Sequence, residues 1–212
     1  MKIKLCGMFR DCDIDYANEA KPDYVGFILG FPKSHRNIDA ETARRLRSRL
    51  DTGIKAVGVF VNSPETTCAE YADCGIIDVI QLHGDEDADF IRRLRELTSA
   101  PIIKAAKIRT PEDIGRVQAL GADYVLLDNG TGTGEMFDHS LLDGAEIRQP
   151  FFLAGGLTPE NLRQAAESVR PYCVDLSSGV ETDRLKNREK MLEAVRVIRE
   201  PVSYTHLRAH ET

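Results

Sequence analysis

The sequence contains no run of 18 uncharged apolar residues, which argues against a membrane-spanning helix and against a membrane partner. Its amino terminus runs Met1-Lys-Ile-Lys-Leu-Cys6 without the apolar stretch of a secretion signal, so a cytoplasmic protein is expected. No C-x-x-C pair occurs. The five cysteines, Cys6, Cys12, Cys68, Cys74 and Cys173, are odd in number and scattered, which indicates neither a disulfide framework nor a zinc site. An excess of basic charge is also missing. A net charge of -6 argues against a broad nucleic-acid-binding face, so an anionic ligand would have to be held by local groups. The dinucleotide fingerprint is absent too: Gly130, Gly132 and Gly134 alternate with threonine and lead into Glu135, with no helix plainly starting there.

What is present is a regular alternation. With 212 residues, 42% of them apolar, the chain is long enough for one domain with a sizeable core. Short apolar runs read as eight strands: Ile3 to Cys6, Tyr24 to Leu29, Lys55 to Val61, Val79 to Leu82, Ile102 to Ala105, Tyr124 to Leu127, Phe151 to Ala154 and Cys173 to Leu176. Amphipathic segments between them read as helices: Asp13 to Ala20, a helix capped by Asp39 and running to Leu50, and one opened by Ser63-Pro64-Glu65. More follow at Asp87 to Thr98, Pro111 to Leu120, Ser140 to Ile147, Pro159 to Ser168 and Asn187 to Arg199. Thr110-Pro111-Glu112-Asp113 and Thr158-Pro159-Glu160-Asn161 are near-copies of one helix start. Pro22-Asp23-Tyr24-Val25 and Ala122-Asp123-Tyr124-Val125 are similar strand entries four units apart. Eight strand-helix units with hints of half-chain repetition point to the α/β class and a single (β/α)8 TIM barrel over residues 1–201, with a doubly wound open sheet as the alternative. Residues 202–212 lack helical periodicity and look like a translated sequencing-library adapter. They are expected to be a non-native or disordered tail, so the i, i+4 pair His206 and His210 is given no metal-binding weight.

In such a barrel the chemistry sits at the C-terminal ends of the strands. Strand one ends in Cys6-Gly7, strand four in Gln81-Leu82-His83-Gly84 and strand six in Asp128, at the start of the glycine-threonine loop. Strand seven ends in Ala154-Gly155-Gly156-Leu157, and strand eight in Asp175-Leu176-Ser177-Ser178-Gly179. Glycine and serine at two adjacent strand ends let backbone N–H groups wrap a phosphate; two tight turns that need glycine are the plainer reading.

These segments together resemble the phosphoribosylanthranilate isomerase family. The resemblance spans about Lys2 to Arg199. It rests on Lys4-Leu5-Cys6-Gly7, Gly26-Phe27 through Phe31-Pro32-Lys33-Ser34-His35-Arg36, Val57 to Asn62 and Gln81 to Gly84. It continues through Leu127-Asp128 with Gly132-Thr133-Gly134 and Phe137-Asp138, Leu153 to Leu157, and Asp175 to Glu181. Arg184 and Asn187 depart from the glycine and aspartate usual before the last helix, and Phe9 stands where threonine is common. The resemblance implies an Amadori rearrangement in tryptophan biosynthesis, on a small phosphorylated substrate and without metal or organic cofactor. Asp128 would be the acid and Cys6 the base. Arg36 would meet the anthranilate carboxylate, for which its planar fork of donors is suited. Gln81, His83 and Asp175 would line the substrate site, and Gly155, Gly156, Ser177, Ser178 and Gly179 would cradle the phosphate. The acid role requires burial or a neighbouring negative charge to keep Asp128 protonated, whereas Cys6 needs positive neighbours to become a thiolate. Lys104 reads as a barrel-interior or structural lysine, with a Schiff-base role as the alternative. A monomer or homodimer is expected. Another phosphoribosyl-amine isomerase of the same superfamily, or a catalytically silent phosphosugar-binding barrel, remains open at this point.

Overall fold

Eight apolar runs become eight parallel strands because each is flanked by helices that cover its outer side. The computed structural model describes residues 1–128, 139–142 and 145–200. The barrel strands are β1 (Lys2–Cys6), β2 (Tyr24–Leu29), β3 (Lys55–Phe60), β4 (Val79–Leu82), β5 (Ile102–Lys107), β6 (Tyr124–Asp128), β7 (Phe151–Leu153) and β8 (Cys173–Leu176). Each pairs in parallel with the next, and β8 pairs with β1 through Lys2↔Cys173 to Leu5↔Leu176, closing the ring. The open-sheet alternative is therefore excluded.

Helices α1 (Asp11–Ala20), α2 (Ala40–Arg49), α3 (Glu65–Asp73), α4 (Ala88–Leu97), α5 (Pro111–Gln118), α6 (Pro159–Val169) and α7 (Arg188–Arg199) lie outside. Their starts follow from local chemistry. Asp39 accepts from the Thr42 N–H, and the repeated Thr-Pro starts both form capping boxes, Thr110 with Asp113 and Thr158 with Asn161. The similar strand entries also share one role: Asp23 accepts the Ile3 N–H at 2.9 Å, and Asp123 accepts the Ile102 N–H at 2.8 Å.

Three local expectations are corrected. Ser63 does not cap α3, since Pro64 stands at the cap and the helix starts at Glu65. Helix α1 starts earlier than expected, at Asp11, because Asp13 accepts from the Phe9 and Arg10 backbone N–H groups and from the Arg10 side chain ahead of the apolar stripe. Ser140 to Ile147 is not an α-helix. It gives a 3-10 turn, His139–Leu142, and residues 145–150 carry no helix. A glycine at position 144, costing about 1 kcal/mol inside a helix, weakens so short a pattern. The glycine-threonine stretch with Gly130, Gly132, Gly134, Glu135, Phe137 and Asp138, and the tail at 202–212, lie outside the described residues.

The two-residue period of the strands sorts the side chains. Ile3, Leu5, Val25, Phe27, Leu29, Val125, Leu127, Val174 and Leu176 face the helices in the larger core. Tyr24, Val57, Val79, Ile103, Leu126, Phe152 and Cys173 fill the interior. At its lower end Phe152 packs against Tyr24 and Tyr124, each with ring centroids 5.7 Å apart, and Lys2 Nζ lies 5.0 Å above the Tyr172 ring. One level up, Lys4 is fully buried and donates to Asp175 Oδ2 at 2.7 Å. A lysine inside a barrel is tolerated only with such a partner.

Candidate active site

The same alternation that aims Lys2 and Lys4 inward aims Cys6 inward at the upper rim. Gly26 on β2 makes room for it, since a Cβ there would stand 2.6 Å from the Cys6 sulfur. Cys6 lines a cavity of about 240 Å³ at the C-terminal mouth, together with Arg36, Gln81, His83 and Asp128. Gly155, Gly156, Asp175, Ser177 and Ser178 complete the polar lining, with Ile28, Val59, Leu126 and Leu157 as apolar wall. Ten of the eleven residues singled out from the sequence thus meet in one place. The exception is Gly179, which lies under the β7 turn: a Cβ there would come 1.9 Å from the Leu157 carbonyl oxygen. Its absent side chain lets the two turns pack together.

The β7 turn is shaped by Gly155 and Gly156, both in the left-handed region at φ +92° and +64°. Asn161 in the first turn of α6 donates to the Gly156 carbonyl at 2.9 Å and accepts from the Thr158 N–H, so the helix start fixes the turn. Ser177 Oγ donates to the Cys6 carbonyl at 3.2 Å, tying the β8 end to β1.

His83 stands 3.9 Å from Asp128 Oδ2 through its Nε2. Burial lowers the pKa of His83 despite the opposing pull of Asp128, so the ring is neutral at neutral pH. The Gln81 amide nitrogen lies 3.1 Å from His83 Nδ1. This contact ties Gln81 to the His83 ring and leaves Nε2 facing Asp128. Gln81 Oε1 and Asp175 Oδ1 are buried acceptors without a hydrogen-bond partner among the described residues. Buried acceptors of this kind are normally satisfied, which marks both for a ligand's donors.

The positive neighbours that a thiolate at Cys6 needs are present, Lys4 and Lys186, but they do not make the thiol ionise readily. Burial pushes Cys6 up, and the opposing fields of Lys4 and Lys186 do not overcome it. Burial works against charge on Lys4 as well, but Asp175 and the Cys6 sulfur outweigh it and hold the ammonium charged. Of the readings of Lys104 the structural one holds and the barrel-interior one is corrected. This lysine shares the outward parity of Ile102 rather than the inward one of Ile103, and its Nζ binds Glu86 Oε2 at 2.8 Å and the Gly84 carbonyl at 2.6 Å. It is a structural lysine that braces the β4 turn, neither in the interior nor placed for a Schiff base. Among the described residues no three His, Cys, Asp or Glu side chains converge as a metal site.

Sequence reasoning passed over Lys4, Glu181 and Lys186, which quoted motifs contained or adjoined. A signal existed: a charged residue in an apolar strand, two positions before Cys6, must find a partner on the neighbouring strand.

Fold and cleft first define a class, the (β/α)8-barrel proteins with a carboxylic acid, a thiol and glycine- and serine-bearing turns at the C-terminal mouth. The family model described as N-(5'phosphoribosyl)anthranilate (PRA) isomerase matches residues 3–197, and the chain belongs to that family. It is 44% identical over 203 residues to the N-(5'-phosphoribosyl)anthranilate isomerase of Endomicrobium trichonymphae, covering 93% of this chain and 98% of that one. The phosphoribosyl anthranilate isomerase structure from Thermotoga maritima superposes with a TM-score of 0.84 at 33% identity, covering 93% of this chain and 98% of that one. A phosphoribosyl anthranilate isomerase in complex with reduced 1-(o-carboxyphenylamino)-1-deoxyribulose 5-phosphate gives a TM-score of 0.81 at 33% identity, with 92% and 97% covered.

Proposed function

We propose that this chain isomerises N-(5'-phosphoribosyl)anthranilate to 1-(2-carboxyphenylamino)-1-deoxy-D-ribulose 5-phosphate in tryptophan biosynthesis, with Asp128 as general acid and Cys6 as general base. The observation that carries the residue roles is that both side chains, three strands apart around the ring, line one cavity of about 240 Å³. Asp128 donates its proton to the furanose ring oxygen, the C1–O bond breaks, and an iminium forms between C1 and the anthranilate nitrogen. The Cys6 thiolate then takes the proton from C2, and the resulting enolamine tautomerises to the ketone. The iminium puts a positive charge beside the buried thiol at the step that needs the thiolate, adding to the fields of Lys4 and Lys186. Arg36 takes the anthranilate carboxylate, and His83 borders the acid. Gln81 Oε1 and Asp175 Oδ1 accept from sugar hydroxyls, and the turns carrying Gly155, Gly156, Ser177 and Ser178 hold the phosphate, with Gly179 allowing their close approach.

The chain acts as a monomer or a homodimer on a small phosphorylated substrate. Five free thiols, one of them the base, suit the reducing cytoplasm. The catalytic unit is residues 1–201.

The test is turnover of phosphoribosylanthranilate, formed in situ from anthranilate and phosphoribosyl pyrophosphate by the preceding enzyme and followed by loss of its fluorescence. Full chain and a form ending at residue 201 should turn over equally. Phosphate binding without fluorescence loss would instead identify a silent phosphosugar-binding barrel.

A further inference from the structure

The segment after β8 is built on charge. Glu181–Thr182 and Leu185–Lys186 form a small antiparallel hairpin in which Glu181 lies directly opposite Lys186. Lys186 Nζ donates to Glu181 Oε1 at 2.6 Å and to the Ser177 carbonyl at 3.0 Å. The Glu181 carboxylate also accepts from Arg36, Nε to Oε1 at 2.7 Å and Nη2 to Oε2 at 2.6 Å. Both hairpin residues are buried, Glu181 at 8% and Lys186 at 3% exposure. Further bonds fasten the hairpin from outside: Arg10 Nη2 to the Lys186 carbonyl at 3.0 Å, and Lys190 Nζ to the Glu181 carbonyl at 2.7 Å.

A guanidinium offers two edges that can each grip a carboxylate in a fork, Nε with one Nη and the two Nη together. Glu181 occupies the first edge. The Arg36 arm lies across Gly7, where a Cβ would stand 2.4 Å from Arg36 Cδ, so backbone below and carboxylate beside fix its course into the cavity. We infer that Glu181, anchored by Lys186, is the positioning residue for substrate carboxylate recognition: it holds the Nε/Nη2 edge of Arg36 and thereby presents the Nη1/Nη2 edge to the anthranilate carboxylate. The inference rests on the reading of Arg36 as the carboxylate-binding residue. Its physical content is preorganisation, since an arginine already held in one orientation loses little side-chain freedom when substrate arrives.

Steady-state kinetics of the full chain separate the possibilities. Glu181→Gln, which removes the charge and one acceptor at constant size, should raise KM about tenfold or more and leave kcat within about threefold. Arg36→Met should raise KM at least as much. In the Arg36→Met background, Glu181→Gln should add less than about twofold, because it acts only through that arginine. Inhibition by inorganic phosphate should weaken far less than substrate binding throughout, since Lys186 can keep its bond to the Ser177 carbonyl when Glu181 loses its charge. If Glu181→Gln does not fold, Glu181→Asp, which keeps the charge but shortens the reach, should give the same split. A normal KM in the Glu181 variant beside a raised one in Arg36→Met overturns this inference alone. A normal KM in Arg36→Met overturns the reading of Arg36 beneath it. Equal weakening of substrate and phosphate binding by the Glu181 variant would reduce Glu181 to a structural residue.

Discussion

The two ends of the barrel interior use the same strands and the same alternation for opposite purposes. At the lower end Tyr24, Tyr124, Phe152 and Tyr172 form a plug of edge-on and tilted rings, closed by Lys2. At the upper end β1, β4, β6 and β8 deliver Cys6, His83, Asp128 and Asp175, and apolar packing gives way to a cavity. Between them the Lys4–Asp175 pair belongs to both, a buried ion pair whose second carboxylate oxygen is left for a ligand. The difference shows a division of labour along each strand: early inward residues hold the barrel shut, and late ones carry chemistry. Inside the barrel, the buried acceptors left without a partner among the described residues, Gln81 Oε1 and Asp175 Oδ1, lie toward the late end.

Substitutions that respect this division should split cleanly between turnover and stability. Cys6→Ala and Asp128→Asn should each lower kcat by roughly 10²- to 10⁴-fold with modest change in KM and a nearly unchanged melting temperature. Near-normal turnover in either variant would remove that residue from the mechanism. Phe152→Ala should do the reverse, losing roughly 3 to 5 kcal/mol in urea unfolding while the folded fraction keeps its kcat. A kcat collapse there would mean that the ends are not independent.

The upper end can also be titrated. Since burial favours the neutral thiol, alkylation of Cys6 by iodoacetamide, mapped by mass spectrometry, should keep accelerating as pH rises past the ordinary thiol range near 8.5. A rate that levels off below that pH would contradict the burial argument.

The smallest effect concerns the hairpin that braces Arg36. Asp183 and Arg184 form its two-residue turn with φ of +51° and +64°, a turn in which both positions favour glycine or asparagine. Arg184 occupies a position where glycine is usual in the family, so the departure noted in the sequence changes the strain and not the turn. Arg184→Gly should therefore raise stability by up to about 1 kcal/mol in thermal or urea unfolding, with kinetics unchanged. A loss of stability would mean that the arginine side chain contributes more than its backbone strain costs.

Much of this was legible beforehand because it is written in local chemistry. Strand positions follow from apolar runs such as Tyr24 to Leu29, and helix starts from Asp39, Thr110 and Thr158, since capping satisfies N–H groups within a few residues. The false sixth helix shows the limit, for a short apolar pattern through a glycine does not establish a helix by itself. Site residues at strand ends were found by the barrel rule, and the family resemblance supplied their roles. At Gly179 the missing side chain serves the packing of the neighbouring turn, which shows only in the approach of Leu157.

The sequence alone determined the eightfold alternation, the strand-end positions of Cys6 and Asp128 and the glycine-bearing turns, because these depend on short apolar runs and on caps a few residues long. Only the tertiary structure decided that Lys104 faces outward to Glu86, that Lys4 meets Asp175, and that Glu181 grips Arg36 across 145 positions of chain. Such pairs join residues whose separation along the chain carries no signal of their meeting, and closing the ring is what sets charge against charge.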